Sequence, residues 1–175
     1  YEIKAVITVH LYGYISQNFS KLKNICNTND IYLVEDGSHS FGSKYNNELI
    51  FKNSFLAGIS MYPTKILGSN GNAGIIITND DKLAEKIIMY RDNGRKKTRY
   101  DHYAIGGNFI MNSIQAIYSN YYLLTFPSVV NRLRCISESY RNHLKNLKTI
   151  KFLTIDNCQE NGYMAIISCK LNNFD

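Results

Sequence analysis

The feature that most limits what this chain can fold into lies at its N-terminal end, where two β-branched apolar runs bracket one amphipathic stretch. Lys4–Val9 (KAVITV) reads as a strand, and His10-Leu11-Tyr12-Gly13 turns out of it. Phe19, Leu22 and Ile25 then recur at helical spacing with Lys and Asn on the other face, and Ile31–Val34 begins a second strand that ends at Glu35-Asp36. A strand–helix–strand unit closes right-handed, which makes the two strands parallel and the chain α/β. Two more apolar runs follow, Phe55–Ser60 and Gly74–Thr78. Asp80 reads as the N-cap of a helix whose Leu83, Ala84, Ile87 and Ile88 form one face, ending near Gly94.

From Asn112 the pattern turns helical. Ile114, Ile117, Tyr118 and Tyr121 make one stripe; Val129, Leu133, Ile136, Tyr140, Leu144 and Leu147 make a longer one, and Pro127 separates them. Stripes of this kind are expected to pack in a core. Ile150–Ile155 and Tyr163–Leu171 return to strand character and read as the opening of a second, smaller α/β unit; the expected division is 1–126, and 127–175 as a long linking helix with the beginning of a small C-terminal domain. There is no internal repeat and no low-complexity tract.

At 175 residues, 45% apolar and 13% aromatic, the chain has enough material for a globular core. No apolar run approaches the roughly 18 residues that cross a bilayer, and no signal-like segment opens the chain, so a cytoplasmic protein without membrane contact is expected. Cys26, Cys135, Cys158 and Cys169 are scattered without C-x-x-C or metal-like pairing with histidine; they read as reduced, mostly core thiols, and no metal site is expected. The net charge of +6 comes from 20 Lys and Arg spread along the chain, not gathered on one helix, which argues against nucleic acid. The one dense run, Arg95-Lys96-Lys97-Thr98-Arg99, reads as a solvated loop or as a contact for an anionic substrate or a neighbouring subunit. A chain that opens on Tyr1 and closes on Asp175, each beside a strand-like run, reads as a piece of a longer protein.

The chemistry centres on Lys65. It closes the string Ser60-Met61-Tyr62-Pro63-Thr64-Lys65, precedes a turn spaced by Gly68, Gly71 and Gly74, and follows Asp36 by 29 positions. A lysine that can form a Schiff base, an aspartate that can keep a pyridine nitrogen protonated and a serine that can meet a phosphate are what a pyridoxal-phosphate enzyme requires. Asp36 and Lys65 both fall at or just past the C-terminal ends of expected parallel strands, the edge where open α/β sheets bind ligands. Taken singly, an aspartate after a strand is also a turn or cap residue and a lysine a surface charge.

Four segments carry a family resemblance: VHLYG (Val9–Gly13), VEDGSHSFGSKY (Val34–Tyr45), SMYPTKILGSNGNAG (Ser60–Gly74) and IGGNFIMNSIQA (Ile105–Ala116). In order and interval they resemble the sugar aminotransferases of the DegT/StrS group. That resemblance implies a three-layer, fold type I pyridoxal-phosphate large domain with a mainly parallel sheet, plus the start of a small C-terminal domain. It covers most of this chain and about half of a typical member. It implies Lys65 as the Schiff-base lysine and acid/base, Asp36 as partner of the pyridine nitrogen, His39 beside the cofactor's 3-hydroxyl and Ser60 at its phosphate. Asn108 would reach the phosphate held by the other subunit of a homodimer. Packing alone for His39 and a turn role for Asn108 are the alternatives. The implied reaction is transamination of a nucleotide-linked keto sugar, with glutamate as donor and pyridoxal 5'-phosphate as cofactor; the lysine separates the chain from the group's dehydratases, which carry histidine there. Thr8, Asn72, Ile110 and Asn112 depart from the pattern, Ile110 replacing an arginine.

Overall fold

A computed structural model describes residues 2–98 and 100–170. β1 (Ala5–Val9) leads through a 3-10 turn (Leu11–Gly13) to α1 (Phe19–Thr28) and β2 (Tyr32–Asp36). A short hairpin, β3 (Lys44–Tyr45) and β4 (Glu48–Leu49), precedes β5 (Leu56–Ser60) and β6 (Gly74–Ile77). Two helices follow, α2 (Asp81–Arg91) and α3 (Ser113–Leu144), then β7 (Ile150–Phe152), β8 (Cys158–Gln159) and β9 (Ile167–Cys169).

The main sheet has the order β1-β2-β5-β6. β1, β2 and β5 are parallel, as the strand–helix–strand reading requires, and β6 returns antiparallel to β5. Strand alternation divides the sheet into two unlike faces. Leu33, Ala57 and Ile59 face inward and pack with Ile15, Phe19, Cys26, Ile50 and Phe51. On the opposite face Ile7, Val9, Tyr32 and Ile76 stay exposed. There a cleft of about 1260 Å³ runs between the sheet residues Ile7, Val34, Gly58 and Ile76 and the α2 residues Ala84 and Ile87.

Helix ends follow their local chemistry. Asp80 caps α2 by accepting from the Leu83 N–H at 2.9 Å, with Asp81 in the first turn and Arg91 in the last, both favourable to the helix dipole. Asn112 caps α3 through the Gln115 N–H at 2.9 Å and donates to the Gln115 side chain at 2.9 Å. That glutamine also donates to the Asn72 carbonyl at 3.2 Å, and its amide nitrogen would lie 2.7 Å from a Cβ placed on Gly71, so a side chain there would have to displace it.

Four expectations change. Pro127 does not break the helix: α3 runs unbroken across it, because Phe126 and Val130 on either side are buried against Met61, Ile66 and Leu67. Packing outweighs the roughly 3 kcal/mol intrinsic cost of an interior proline. The resulting helix is about 48 Å long and contains both residues 126 and 127. The first α3 stripe is not core: Ile114, Ile117 and Tyr121 are 72%, 70% and 69% exposed, and Ser119, Phe126, Val130 and Ser137 are buried instead. Of the cysteines only Cys26 is buried; Cys158 is half-buried, Cys135 and Cys169 exposed. The two C-terminal runs shorten to β7 and β9, which pair antiparallel, and β8, which lies between the runs, joins the β4-β3 hairpin. Leu171 and Arg99 lie outside the described residues. Among those described, no helix is long and apolar enough to cross a membrane, and no three metal-ligating side chains cluster.

Candidate functional site

Asp36 is the last residue of β2, paired with Val9 on one side and Gly58 on the other. Alternation sends Glu35 into the core and Asp36 to the open face, where it lines the cleft with Ser38 and Gly58. Oδ1 accepts from the Ser38 N–H at 3.0 Å and the Ser38 hydroxyl at 2.6 Å; Oδ2 accepts no hydrogen bond among the described residues. Partial burial works against its charge, but the two Ser38 bonds, with the nearby Lys65 charge adding to them, outweigh it and hold the carboxyl below its ordinary range.

Lys65 sits in the loop after β5. Its N–H donates to the Tyr62 carbonyl at 2.8 Å, while Met61, Ile66 and Leu67 are buried beneath. Those apolar anchors on both sides hold the lysine in place, and Nζ stands 2.8 Å from His39 Nε2. The imidazole's other nitrogen, Nδ1, accepts from the Tyr12 N–H at 3.2 Å, and the Tyr12 ring stacks on it with centroids 5.9 Å apart. Burial first and the Lys65 charge second push the His39 pKa down, against the pull of Asp36, so the neutral ring is favoured. With Nδ1 accepting, the neutral ring carries its proton on Nε2, facing Nζ. Tyr12 adopts a left-handed φ of 60°, and strain of this kind concentrates at functional sites. Ser60 ends β5 two residues past Gly58, hence on the same face as Asp36, and its Oγ accepts from the Tyr62 N–H at 3.3 Å.

The chain thus brings Asp36, His39, Ser60 and Lys65 to one end of the parallel strands. Asn108 stands apart: it is exposed, bridged to Asp92, and makes no side-chain hydrogen bond to the others. In the neighbouring basic run, Arg95 pairs with Asp92 and Lys96 lies 5.4 Å over the Tyr103 ring.

Three residues that sequence reasoning missed clasp the site from the C-terminal segment. Asn161, fully buried, donates from Nδ2 to the carbonyls of His39 at 2.8 Å and Phe41 at 3.0 Å. Tyr163 packs 5.5 Å from the His39 ring and donates its hydroxyl to the Thr64 carbonyl at 3.0 Å. Arg134 donates to the Gly42 and Glu160 carbonyls at 3.1 and 2.7 Å. The partners lie 26 to 122 positions away, and no local pattern signals such bonds. The nearest cue is the Asn161-Gly162 pair, which reads only as a turn.

These side chains fit pyridoxal phosphate. An aspartate with one uncommitted oxygen serves a protonated ring nitrogen, and at the adjacent Gly58 a Cβ would meet nothing within 4 Å, leaving room beside it. A lysine and a histidine in contact supply an amine and a donor for the ring substituents.

The family model described as DegT/DnrJ/EryC1/StrS aminotransferase matches residues 2–173. The chain is 38% identical over 113 residues to a pleiotropic regulatory protein of Geobacillus stearothermophilus, covering 65% of this chain and 30% of that protein. It is 30% identical over 147 residues to dTDP-3-amino-3,4,6-trideoxy-alpha-D-glucose transaminase of Streptomyces venezuelae, covering 84% of this chain and 38% of the relative. The crystal structure of a DegT DnrJ EryC1 StrS aminotransferase from Brucella abortus superposes with a TM-score of 0.87 at 26% identity. That of S. venezuelae DesV in complex with a ketimine intermediate gives 0.89 at 27%. Each comparison covers 95% of this chain and 44% of the solved one. The chain therefore spans less than half the length of these relatives, and its architecture is that of the fold type I aminotransferases. Matched along nearly its whole length by one family model, it belongs to the DegT/DnrJ/EryC1/StrS aminotransferase family.

Proposed function

We propose that the protein to which this chain contributes is a pyridoxal-phosphate-dependent aminotransferase. It acts on the keto group of a nucleotide-linked sugar, with an amino acid, glutamate, as donor. The observation that carries the reading is the 2.8 Å contact of Lys65 Nζ with His39 Nε2 beside Asp36, at the C-terminal end of a parallel sheet. The names of the S. venezuelae transaminase and of other relatives supply the substrate class.

When bound, the cofactor supplies the electron sink through which an amino group passes from donor to acceptor carbon. The residues do the rest. Asp36, through its free Oδ2, would hold the protonated ring nitrogen, Lys65 Nζ would serve as the acid/base, His39 would donate from Nε2 beside the ring, and Ser60 would meet the phosphate. Asn108 serves the site of a second copy in a two-fold dimer, and residues 127–175 supply a long linking helix and the beginning of the small domain of each copy.

The test is chemical. Complete protein containing this chain, incubated with pyridoxal phosphate, should turn yellow, and borohydride should fix the cofactor to the peptide that holds Lys65. Labelling at Lys44 or Lys82 instead overturns the assignment. A second reading, a catalytically silent module of the same fold, is favoured by Ile110 in place of the family's arginine; a labelled protein without transaminase turnover would support it.

A further inference from the structure

His10 and Glu35 are 1% and 2% exposed, and the chemistry above uses neither. They lie behind the sheet, on the face opposite Asp36. His10 Nε2 meets Glu35 Oε2 at 2.9 Å, and the Ser54 hydroxyl donates to Glu35 Oε1, so both carboxyl oxygens are occupied in the core. The imidazole is itself wedged edge-on against Phe19, with centroids 5.0 Å apart, and tilted against Phe51 at 6.0 Å. A buried acid–base pair is costly to enclose and replaceable by apolar residues wherever only stability is at stake. Its position gives it another use.

The pair converges on the main chain of Asp36. His10 donates its backbone N–H to the Asp36 carbonyl at 3.0 Å while its side chain holds the preceding residue, Glu35. On the other side, Gly37 donates to the Gly58 carbonyl at 2.8 Å and is packed so closely by Phe51 and Ile59 that a Cβ there would overlap both. Phe51, held at a left-handed φ of 70°, accepts from the N–H of Ser54, the same serine that binds Glu35. Residues 35, 36 and 37 are thus clamped from behind by one connected network. Ahead of it, Ser38 takes Oδ1 and Oδ2 is left toward the cleft.

We infer that His10, Glu35 and Ser54 form a positioning network that aims the Asp36 carboxylate at the ring nitrogen of the cofactor. The inference rests on the proposed pyridoxal-phosphate site. It predicts that loosening the network costs cofactor binding and the chemical step and leaves substrate affinity alone, whereas a purely structural pair would cost stability alone.

The experiment uses the complete protein with pyridoxal phosphate and compares wild type with Glu35→Gln and with the apolar pair His10→Phe/Glu35→Leu. Four quantities are measured: thermal midpoint, cofactor affinity by absorbance titration, and kcat and KM for the amino acceptor. The apolar pair should keep its melting temperature within a few degrees, yet bind cofactor about tenfold or more weakly and lose kcat by a similar factor at unchanged KM, the scale on which a small misplacement of a reacting group acts. Glu35→Gln, which preserves shape and one acceptor, should fall between this pair and wild type, and it decides the matter if the apolar pair does not fold. Wild-type cofactor affinity and kcat in a folded variant, or losses confined to the melting temperature, overturn the inference. Failure of wild type itself to be labelled at Lys65 would overturn the proposed site and, with it, this inference; a labelled wild type with indifferent variants overturns the network alone.

Discussion

Asp36 ends β2 and His39 lies three positions on, in the turn that follows, and their environments push them toward complementary roles. Asp36 is held ionised chiefly by the Ser38 hydrogen bonds, with Lys65 adding to them, despite partial burial. Asp36→Asn should therefore leave the sheet intact while transamination falls by at least about a hundredfold, since a charge-assisted contact to developing charge is worth roughly 3 kcal/mol. Turnover assays on folded variant protein check this; near-normal rates would assign the ring nitrogen to another acid. His39 has a folded pKa below its ordinary 6.5, chiefly through burial. A depressed histidine stays neutral in the fold while the unfolded chain takes up a proton. Its contribution is therefore complete above 6.5 and is lost as pH falls from there toward the folded value. Urea titrations at pH 7.5 and 5.5 should show wild type losing stability over that interval, and His39→Gln, which keeps a donor and cannot titrate there, losing less. Asp36 adds a loss only at lower pH, below the usual carboxylate range.

At the scale of elements, the long helix and the C-terminal clasp decide how rigid the lysine loop is. Pro127 withholds a hydrogen bond in the middle of α3, yet Phe126 and Val130 pack against Met61, Ile66 and Leu67 around Lys65. Pro127→Ala should restore that bond to the Leu123 carbonyl and stabilise the protein by about 2 kcal/mol, the interior-proline penalty less the entropy proline removes from the unfolded chain. A denaturation midpoint unchanged or lowered would show that the helix bends usefully at this point. Asn161→Ala removes both donors that hold the His39 and Phe41 carbonyls. It should destabilise by about 1–3 kcal/mol, the usual cost of leaving buried acceptors unmet, measurable by the same titration.

For the whole molecule, the exposed apolar stripe of α3 is the feature with most consequence. Ile114, Ile117, Tyr121 and Leu124 present a continuous apolar surface, with Phe109 and Ile110 exposed on the segment that bears Asn108. A surface of this kind on a member of this family fits the proposed two-fold contact. Ile117→Asp should leave monomer stability nearly unchanged, because the side chain is already 70% exposed, and should shift the complete protein from dimer to monomer in sedimentation. Mixed dimers of Lys65→Ala and Asn108→Ala chains should regain part of the activity that each parent lacks. No recovery in verified mixed dimers would confine Asn108 to its own chain or to no site.

Much of the fold and of the candidate site was legible in the residues because their signals are local. The β-branched apolar runs, Asp80 as a cap, and the spacing from Asp36 to Ser60 and Lys65 all depend on near neighbours and on where parallel strands end. Only the tertiary structure decided whether a helical stripe faces core or solvent, since α3 shows apolar residues on more than one side and packing selects Phe126 and Val130 over Ile114 and Ile117. It also decided the partners of Glu35, His10, Asn161 and Tyr163. Each of those bonds joins residues separated by 19 positions or more, in one case 122, and a hydrogen bond at that separation has no periodicity to read until the chain has folded.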